Sequence, residues 1–466
     1  MQHRYRVLIV VSVATFVASM DLFIVNIAFP SIEREFAGTS DATLSWVLSA
    51  YAIVTAALLI PAGRLADLLG RKRMFMGGLV TFVVASALCA AAPGAGWLIG
   101  ARVLQAVGGA VLMPTSLALL LAEFSGRQRA IAVAIWSATG AVAAGAGPPI
   151  GGLLVQASWR WVFVVNLPVG LITAVIAARI LSESRDPQGK RLPDFAGAAM
   201  LVLASSALML AIVQGQSWGW ASPRILALIA GAVVLSAGFV YWSSRHPAPV
   251  LELGLFRARA FSAANISGTL FFAAFGAMLL ASVLFLTRVW HEDILTAGLQ
   301  ISPGPIAAAV FAVPGSLLSR RFGERTIAAI GSVLFALAGL WWLRTVGLEP
   351  HYASEFLPGW LIGGAGVGFV IPTLASAAAA ALPPSRFATG SAVYGMTRMF
   401  GIALGIAILI AVLGTPRGAQ VLPAFRSGWE VTVGLAFASA IAALAIGRIR
   451  TAPAQKIAVT ELQQAV

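Results

Sequence analysis

Long apolar segments separated by short polar ones make up most of this 466-residue chain. About 20 apolar residues are enough for a helix to cross the hydrocarbon core of a bilayer. The pattern therefore predicts an all-α polytopic membrane protein with fourteen transmembrane helices and both chain ends on the same side. The predicted runs are 7–29, 44–62, 74–92, 97–121, 131–155, 161–181, 195–213, 225–242, 261–286, 301–318, 327–346, 357–381, 391–413 and 431–447.

One acidic residue, Asp21, lies in the middle of the first apolar run. We expect every other Asp or Glu in a loop or close to a helix end. A charged carboxylate inside a bilayer is costly, so it usually has a partner or a function. Asp21 therefore has two interpretations. It pairs with a buried arginine and holds helices together, or it titrates protons or binds a cation at membrane depth.

Composition and charge agree with a membrane protein. Hydrophobic residues make up 59% of the chain and charged residues 10%, whereas soluble domains carry about 25% charged residues. A net charge of +14 would suggest nucleic-acid binding in a soluble protein, but here the basic residues lie mainly in short loops. Most of them are on the side of the N-terminus, which predicts cytoplasmic termini in the cytoplasmic membrane and no nucleic-acid partner.

The chain contains an internal repeat. The letters Gly-Trp-Leu-Ile-Gly occur at 96–100 and again at 359–363, and Pro114-Thr115 is matched by Pro372-Thr373. The basic stretch 63–73 has a counterpart at about 316–325. These matches pair helices 1–6 with helices 9–14. Duplicated six-helix halves with a site between them are typical of secondary transporters.

The repeat predicts the domain organisation. We expect a six-helix half at 1–181, a linker with two extra transmembrane helices at 182–260, a second six-helix half at 261–449 and a cytoplasmic tail at 450–466.

The stretch after predicted helix 2, GRLADLLGRKR, resembles the signature loop of the major facilitator superfamily. The matching positions are Gly63, Asp67, Gly70, Arg71 and Lys72. The resemblance implies a gate at the cytoplasmic face, which Asp67 holds closed by accepting bonds from a helix N-terminus or from cationic side chains. The alternative is an ordinary basic loop that only sets topology.

Two segments resemble the fourteen-helix drug:proton antiporter branch of that superfamily. MDLFIVNIAFP at 20–30 matches its helix-1 motif at Asp21 and Asn26, with Phe23 replacing a Thr and adding an aromatic wall. Arg398 in predicted helix 13 also matches that branch.

Helix 4 contains Arg102 and Gln105, which resemble the superfamily's Arg-x-x-Gln-Gly pattern and share one helical face. A buried guanidinium needs a partner or a water-filled cavity, and Asp21 is the only acid expected at that depth. In the family this arginine is linked to proton transfer; a structural role is the alternative.

Predicted helix 5 reads GPPIGG, which resembles the Gly-Pro-x-x-Gly-Gly element of antiporters. Proline bends a helix, and glycine allows another helix to approach closely. The element supports export, and a kinked packing helix is the alternative. Its matching positions are Gly147, Pro148, Gly151 and Gly152.

The resemblance implies a proton-coupled exporter, an antiporter of amphipathic drugs or antibiotics that works by alternating access. The expected coupling and substrate residues are Asp21, Asn26, Arg102, Gln105 and Arg398. Because Asp21, Arg102 and Arg398 together leave about +1 when Asp21 is ionised, zwitterionic, anionic and neutral substrates remain candidates beside cations. A dedicated exporter of one metabolite or lipid is the main alternative. A membrane sensor or assembly factor that does not transport is another.

No enzyme is expected. The chain has no phosphate-binding Gly-Lys-Ser/Thr loop and no metal-ligand cluster, so neither a cofactor nor a metal is predicted. The expected partners are a small amphipathic substrate, protons and the lipid bilayer, and the chain is expected to function as a monomer.

Overall fold

The computed structural model describes residues 3–124, 126–185, 192–382, 386–414 and 418–447. Within these ranges, fourteen helices are long and apolar enough to cross a membrane, which confirms the prediction. The helices are α1 (His3–Glu35), α2 (Asp41–Leu69), α3 (Arg71–Ala90), α4 (Ala95–Glu123), α5 (Gly126–Ala157), α6 (Trp161–Ile180), α7 (Phe195–Trp218), α8 (Pro223–Arg245), α9 (Arg259–Arg288), α10 (Ile294–Phe322), α11 (Glu324–Thr345), α12 (Tyr352–Ala380), α13 (Phe387–Leu413) and α14 (Gly418–Leu444). A short 3₁₀ helix, Leu253–Arg257, precedes α9.

Several predicted residues lie outside the described ranges. They are the tail 450–466 and some of the basic residues on which the prediction of orientation rests, namely Lys190, Arg191, Arg417, Arg448, Arg450 and Lys456.

The stretch 63–73 is two helix ends joined by one residue, and its prediction as a loop is wrong. α2 continues to Leu69 and α3 starts at Arg71, so Gly70 alone makes the turn with φ of +115°. Gly323 joins α10 to α11 in the same way with φ of +86°. Glycine adopts such angles without steric cost. We call the end of the molecule with these two turns the basic face, and the other end the opposite face.

The expectation for acidic residues is wrong at Glu430. Helix α14 begins before the predicted run 431–447, so Glu430 lies more than two turns inside it, with an exposed side chain. The hydropathy pattern missed this turn because an exposed, polar helix end is still hydrogen-bonded as a helix.

The pairs α3–α4 and α11–α12 pack in the same manner. A Cβ on Gly108 of α4 would lie 2.8 Å from the carbonyl oxygen of Gly78 in α3. A Cβ on Gly366 of α12 would lie 2.6 Å from the carbonyl oxygen of Gly331 in α11. Both contacts bring two backbones together where no side chain fits.

These contact glycines give the register of the repeat. Pro114 and Pro372 each follow their contact glycine by six residues, so the Pro-Thr match is in structural register. The Gly-Trp-Leu-Ile-Gly match is not, because Gly100 precedes its contact glycine by eight residues and Gly363 by three. Aligning the two segments on the pentapeptide therefore displaces them by more than one helical turn relative to their contact glycines.

Four helix pairs make the main contacts between the first six helices and the last six. α2 packs along α13, α5 packs on α10, and α1 touches both α9 and α10. α7 packs on α8 and also contacts both α2 and α13, so the extra hairpin lies beside the seam between those two helices.

Candidate functional site

Asp21 is completely buried and accepts bonds from two other helices. Its Oδ2 is bonded by Nη1 of Arg102 in α4, and its Oδ1 accepts from Nε2 of Gln105 at 2.8 Å and from Nδ2 of Asn166 in α6 at 3.1 Å. Gln105 and Asn166 also donate to Oγ of Ser86 in α3, at 2.9 and 3.3 Å. We call these five residues the Asp21 network.

Arg102 is also fully buried, and it forms the expected pair with Asp21. Its Nε donates to the carbonyl of Val47 in α2 at 3.0 Å, and its Nη1 also donates to Oε1 of Gln105 at 2.6 Å. The guanidinium stacks on the ring of Tyr51, 4.1 Å from its centroid. Such further hydrogen bonds make a buried ion pair tolerable; one nitrogen, Nη2 of Arg102, is left without a hydrogen-bond acceptor among the described residues. The site thus ties α1, α2, α3, α4 and α6 together.

Three members of this arrangement were not predicted. Asn166 stands in an apolar run, so the rule that identified Asp21, a polar residue at membrane depth, would also have identified it. Ser86 and Tyr51 carry no such signal, because hydroxyl and aromatic side chains are ordinary in transmembrane helices.

Asn26 and Arg398 do not join the Asp21 network. Asn26 donates to the carbonyl of Leu22 in its own helix at 2.8 Å, and its Oδ1 has no partner among the described residues. Arg398, in α13, has neither an ion pair nor a hydrogen bond within the part of the chain that the structure describes. The structure therefore brings together three of the five predicted coupling and substrate residues.

Phe23, the aromatic residue that replaces a threonine, faces away from the Asp21 network. Its ring makes an edge-to-face contact with Phe275 of α9, with centroids 6.5 Å apart. The two faces of α1 thus carry different contacts: the charge on one side and the contact with the last six helices on the other.

The glycines of the helix-5 element are packing positions. A Cβ on Gly147 would lie 2.8 Å from Cβ of Phe23, and one on Gly151 would lie 2.8 Å from Cγ1 of Ile24. Both therefore allow α5 to approach α1. The helix remains continuous through Pro148 and Pro149.

The other side of the same element faces α10. A Cβ on Gly152 would lie 2.8 Å from Cα of Leu295, and one on Gly298 would lie 2.5 Å from the carbonyl oxygen of Pro148. The element is therefore the junction of α1, α5 and α10, in the half of the bundle near the opposite face.

Ion pairs reinforce that junction at the opposite face. Arg288, at the end of α9, donates to Glu33 of α1 at 2.5 Å and to Asp41 at the start of α2 at 3.0 Å. These bonds join the last six helices to the first six.

At the basic face, Asp67 has one of the two kinds of partner that the signature loop implies. Asp67 pairs only with Arg71 among the described residues, through Nε at 3.0 Å and Nη2 at 2.9 Å, one turn further along the same hairpin. The N-terminus of α3 is held instead by Glu183, which accepts from the backbone nitrogens of Lys72 and Arg73 at 3.0 and 3.2 Å. Of the two kinds of partner expected for Asp67, the structure shows the cationic side chain of Arg71 and not a helix N-terminus, because a carboxylate from the segment after α6 already occupies the N-terminus of α3.

Glu252 connects the two sets of helices at the basic face. It lies just before α9, and its two oxygens bind Nη2 of Arg64 in α2 and Nη1 of Arg386 before α13, each at 3.3 Å. Such half-exposed pairs contribute about 0–1 kcal/mol each.

The sequence matches a known transporter family over nearly its whole length. The model of the Major Facilitator Superfamily matches residues 11–288 and 266–465. The multidrug resistance protein Stp of Mycobacterium tuberculosis (strain CDC 1551 / Oshkosh) is 32% identical over 419 residues, which cover 89% of this chain and 77% of that protein. The methylenomycin A resistance protein of Streptomyces coelicolor (strain ATCC BAA-471 / A3(2) / M145) is 30% identical over 453 residues, or 95% of this chain and 92% of that protein.

A solved structure shares the fold. A bacterial homologue of the human lysosomal transporter Spinster, in an inward-facing and unoccupied conformation, matches with a TM-score of 0.69 over 96% of each chain. Its sequence is 18% identical, so the likeness concerns the fold alone.

Proposed function

This chain belongs to the major facilitator superfamily, and on that premise we propose that it is a proton-coupled antiporter. It exports amphipathic drugs or antibiotics across the cytoplasmic membrane by alternating access. Relatives named multidrug and antibiotic resistance proteins support this class of substrate. Membership also makes the chain a multi-pass membrane transporter and not an enzyme.

The proposed organisation has two six-helix halves, 1–181 and 261–449, that rock against each other. The linker 182–260 contributes α7 and α8 beside the seam of α2 and α13. Residues 450–466 form a cytoplasmic tail. The basic face is cytoplasmic in this proposal, because short loops rich in Arg and Lys are retained on that side. The monomer is the working unit.

The Asp21–Arg102 pair is the observation that carries the proposal. Protonation of Asp21 removes its charge and weakens three bonds to α4 and α6 at once. Arg102 then retains only neutral partners, namely Gln105, the carbonyl of Val47 and the ring of Tyr51. Because α1 carries both Asp21 and the contact of Phe23 with α9, a shift of α1 on protonation would change the contact between the halves.

We assign the present arrangement to the state that is closed at the opposite face. The Arg288 ion pairs and the junction of α5 with α10 support this assignment. Contacts between α5 and α10 run from Gly152 against Leu295 to Gly145 against Pro305.

The test is Asp21→Asn, with Glu430→Gln as the matched control. Both variants replace a carboxylate inside a transmembrane helix by an amide, but the side chain of Glu430 is exposed on α14. We expect Asp21→Asn to fold with lowered stability, because the buried Arg102 loses its anion. It should still exchange substrate for substrate, and it should lose efflux driven by a pH gradient in proteoliposomes. Glu430→Gln should keep its fold, the exchange and the proton-driven efflux.

Two results would count against the proposal. Full proton-driven efflux in Asp21→Asn would remove Asp21 from the coupling step. Loss of folded protein in Asp21→Asn would favour a purely structural ion pair. A panel of drugs in a pump-deficient host, with and without an uncoupler, separates a broad pump from a dedicated exporter of one metabolite or lipid.

A further inference from the structure

We propose that the substrates are organic anions with an apolar, preferably aromatic body, and that their acidic group binds the guanidinium of Arg398. This inference rests on the proposed export function and narrows its substrate class. It follows from Arg398, the one arginine at membrane depth that has no anionic partner in the described part of the chain.

Arg398 has no acceptor among the described residues. Its Nε is buried and unpaired, its two terminal nitrogens make no hydrogen bond to a described residue, and the residue as a whole is only half-buried. An arginine held at membrane depth without a partner is costly. Its planar fork of donors matches a carboxylate or a similar acidic group, with two parallel bonds.

Helix geometry places Arg398 between the two halves. Gly395 faces α2, because its Cβ would lie 3.0 Å from Cδ2 of Leu59, and Gly401 faces α9, because its Cβ would lie 2.6 Å from the carbonyl oxygen of Thr269. Arg398 is three residues from each glycine, which puts it about 60° from both directions on α13. It therefore points into the space between α2 and α9.

Aromatic rings line the neighbouring side of α9. Tyr394, one turn before Arg398, makes an edge-to-face contact with Phe272 at 6.3 Å, and Phe272 makes another with Phe275 at 6.4 Å. Phe275 contacts Phe23, so the row of rings continues from α13 to α1. Such rings favour an apolar, aromatic ligand.

Two buried hydroxyls near Arg398 also have no partner in the described part of the chain. One is the phenol of Tyr394 and the other is Oγ1 of Thr55 in α2. α2 and α13 run antiparallel and meet where Leu59 contacts Gly395. One turn from this contact towards the opposite face, α2 carries Thr55 and α13 carries the residue next to Arg398. Thr55 and Arg398 therefore lie at the same depth. Both hydroxyls can donate to an anion.

Among the residues that the structure describes, no accessible negative charge balances Arg398. Asp21 is completely buried and its charge is matched by Arg102 within the Asp21 network. Glu430 is exposed on α14, which packs mainly on α9 and α11. The net charge that the centre offers a substrate is therefore positive, which favours anions and repels lipophilic cations.

The first test is binding to the purified full-length protein in detergent. Three fluorescent probes share one ring system and differ in charge: 2-anthracenesulfonate, 2-anthracenesulfonamide and 2-anthrylmethyl-trimethylammonium. We expect the sulfonate to bind about 10- to 100-fold more tightly than the other two, the range for a bond between charged groups. Arg398→Gln should abolish this preference, and Arg398→Lys should retain part of it.

The control is Arg344→Gln, which removes one positive charge at an exposed helix end and should change nothing. If Arg398→Gln does not fold, the sulfonate preference of the wild type is compared with that of Arg398→Lys, which should be smaller. Tightest binding of the ammonium probe, or an unchanged sulfonate preference in a folded Arg398→Gln variant, would overturn the proposal.

Transport in proteoliposomes at fixed voltage separates this proposal from the function on which it rests. Exchange of one proton for the sulfonate moves two net charges, whereas the sulfonamide would move one and the ammonium none. Proton-driven transport of the ammonium without the sulfonate would overturn the anion proposal and leave the antiporter function intact. Selective binding of the sulfonate without proton-driven transport of any probe would support the anion site and contradict the antiporter function.

Discussion

Helices α1, α3 and α6 meet at the Asp21 network, whereas their counterparts in the repeat, α9, α11 and α14, meet at three serines. In the second cluster, Oγ of Ser439 lies 3.0 Å from Oγ of Ser267 and 3.1 Å from Oγ of Ser332, and all three side chains are buried. Both clusters join the same three helix positions by hydrogen bonds. Only the first contains a group that changes charge with a proton.

The two halves share one fold, and this difference in chemistry indicates that they perform different tasks. Hydroxyl pairs hold helices together at low electrostatic cost, since no charge has to be desolvated. A charged pair holds them just as well, but its strength depends on protonation. We infer that the first half responds to protons and that the second half, through Arg398, recognises the substrate.

The largest expected effect is on stability in the first cluster. Arg102→Gln leaves the carboxylate of Asp21 buried without its cation, and breaking a buried pair in this way costs about 3–5 kcal/mol. The melting temperature of the detergent-solubilised protein should fall strongly. The double variant Asp21→Asn/Arg102→Gln should recover much of the loss, because it removes both charges. An Arg102→Gln variant as stable as the wild type would contradict the buried Asp21–Arg102 pair described above.

A medium effect is expected from paired deletions in the two clusters. Asn166→Leu removes a donor to a charged acceptor and should cost about 1.5–3 kcal/mol, whereas Ser439→Ala removes neutral bonds and should cost about 1 kcal/mol. Thermal unfolding measures both losses, and proton-driven efflux should change only in Asn166→Leu. Impaired proton coupling in Ser439→Ala would contradict the division of tasks.

The smallest effects concern the gates at the two faces. Arg288→Gln removes ion pairs between the halves and should raise labelling of a cysteine at the buried Ile27 several-fold from the opposite face, because each such pair contributes up to about 1 kcal/mol. Labelling is measured on a Cys89→Ser background with an impermeant maleimide. Asp67→Asn should shift the protein slightly towards the inward-open state and lower this labelling. If Asp67→Asn changed the labelling by as large a factor as Arg288→Gln, Asp67 would have to act between the halves.

Hydropathy predicted the number and order of the helices because the bilayer requires each crossing segment to be apolar. It could not predict where helices end, because helix ends depend on backbone hydrogen bonds. The segment 63–69 and Glu430 are polar or exposed and yet helical, and Gly70 alone breaks the chain direction. Short sequence matches also predicted the register of the repeat poorly, because the Gly-Trp-Leu-Ile-Gly match is displaced by more than one helical turn.

The pairing of Asp21 with Arg102 was predictable, since two opposite charges at membrane depth need each other. Asn166 could have been identified as a polar residue in an apolar run, but its bond to Asp21 and the contribution of Ser86 depend on how α3 and α6 pack, which no local pattern contains. The same holds for Glu183, which comes from the segment after α6 and takes the place at α3 that the signature loop implied for Asp67.

Proton and substrate fluxes measured together test the central claim most directly. One proton that enters down about 100 mV and one pH unit supplies roughly 3.7 kcal/mol, enough for a gradient of more than two decades of a neutral substrate. Proteoliposomes with a pH indicator inside and independently clamped voltage and pH give the number of protons moved per substrate. We predict one proton per turnover in the wild type and none in Asp21→Asn, which should still exchange substrate. Two protons per turnover, or one proton still coupled in Asp21→Asn, would contradict the account.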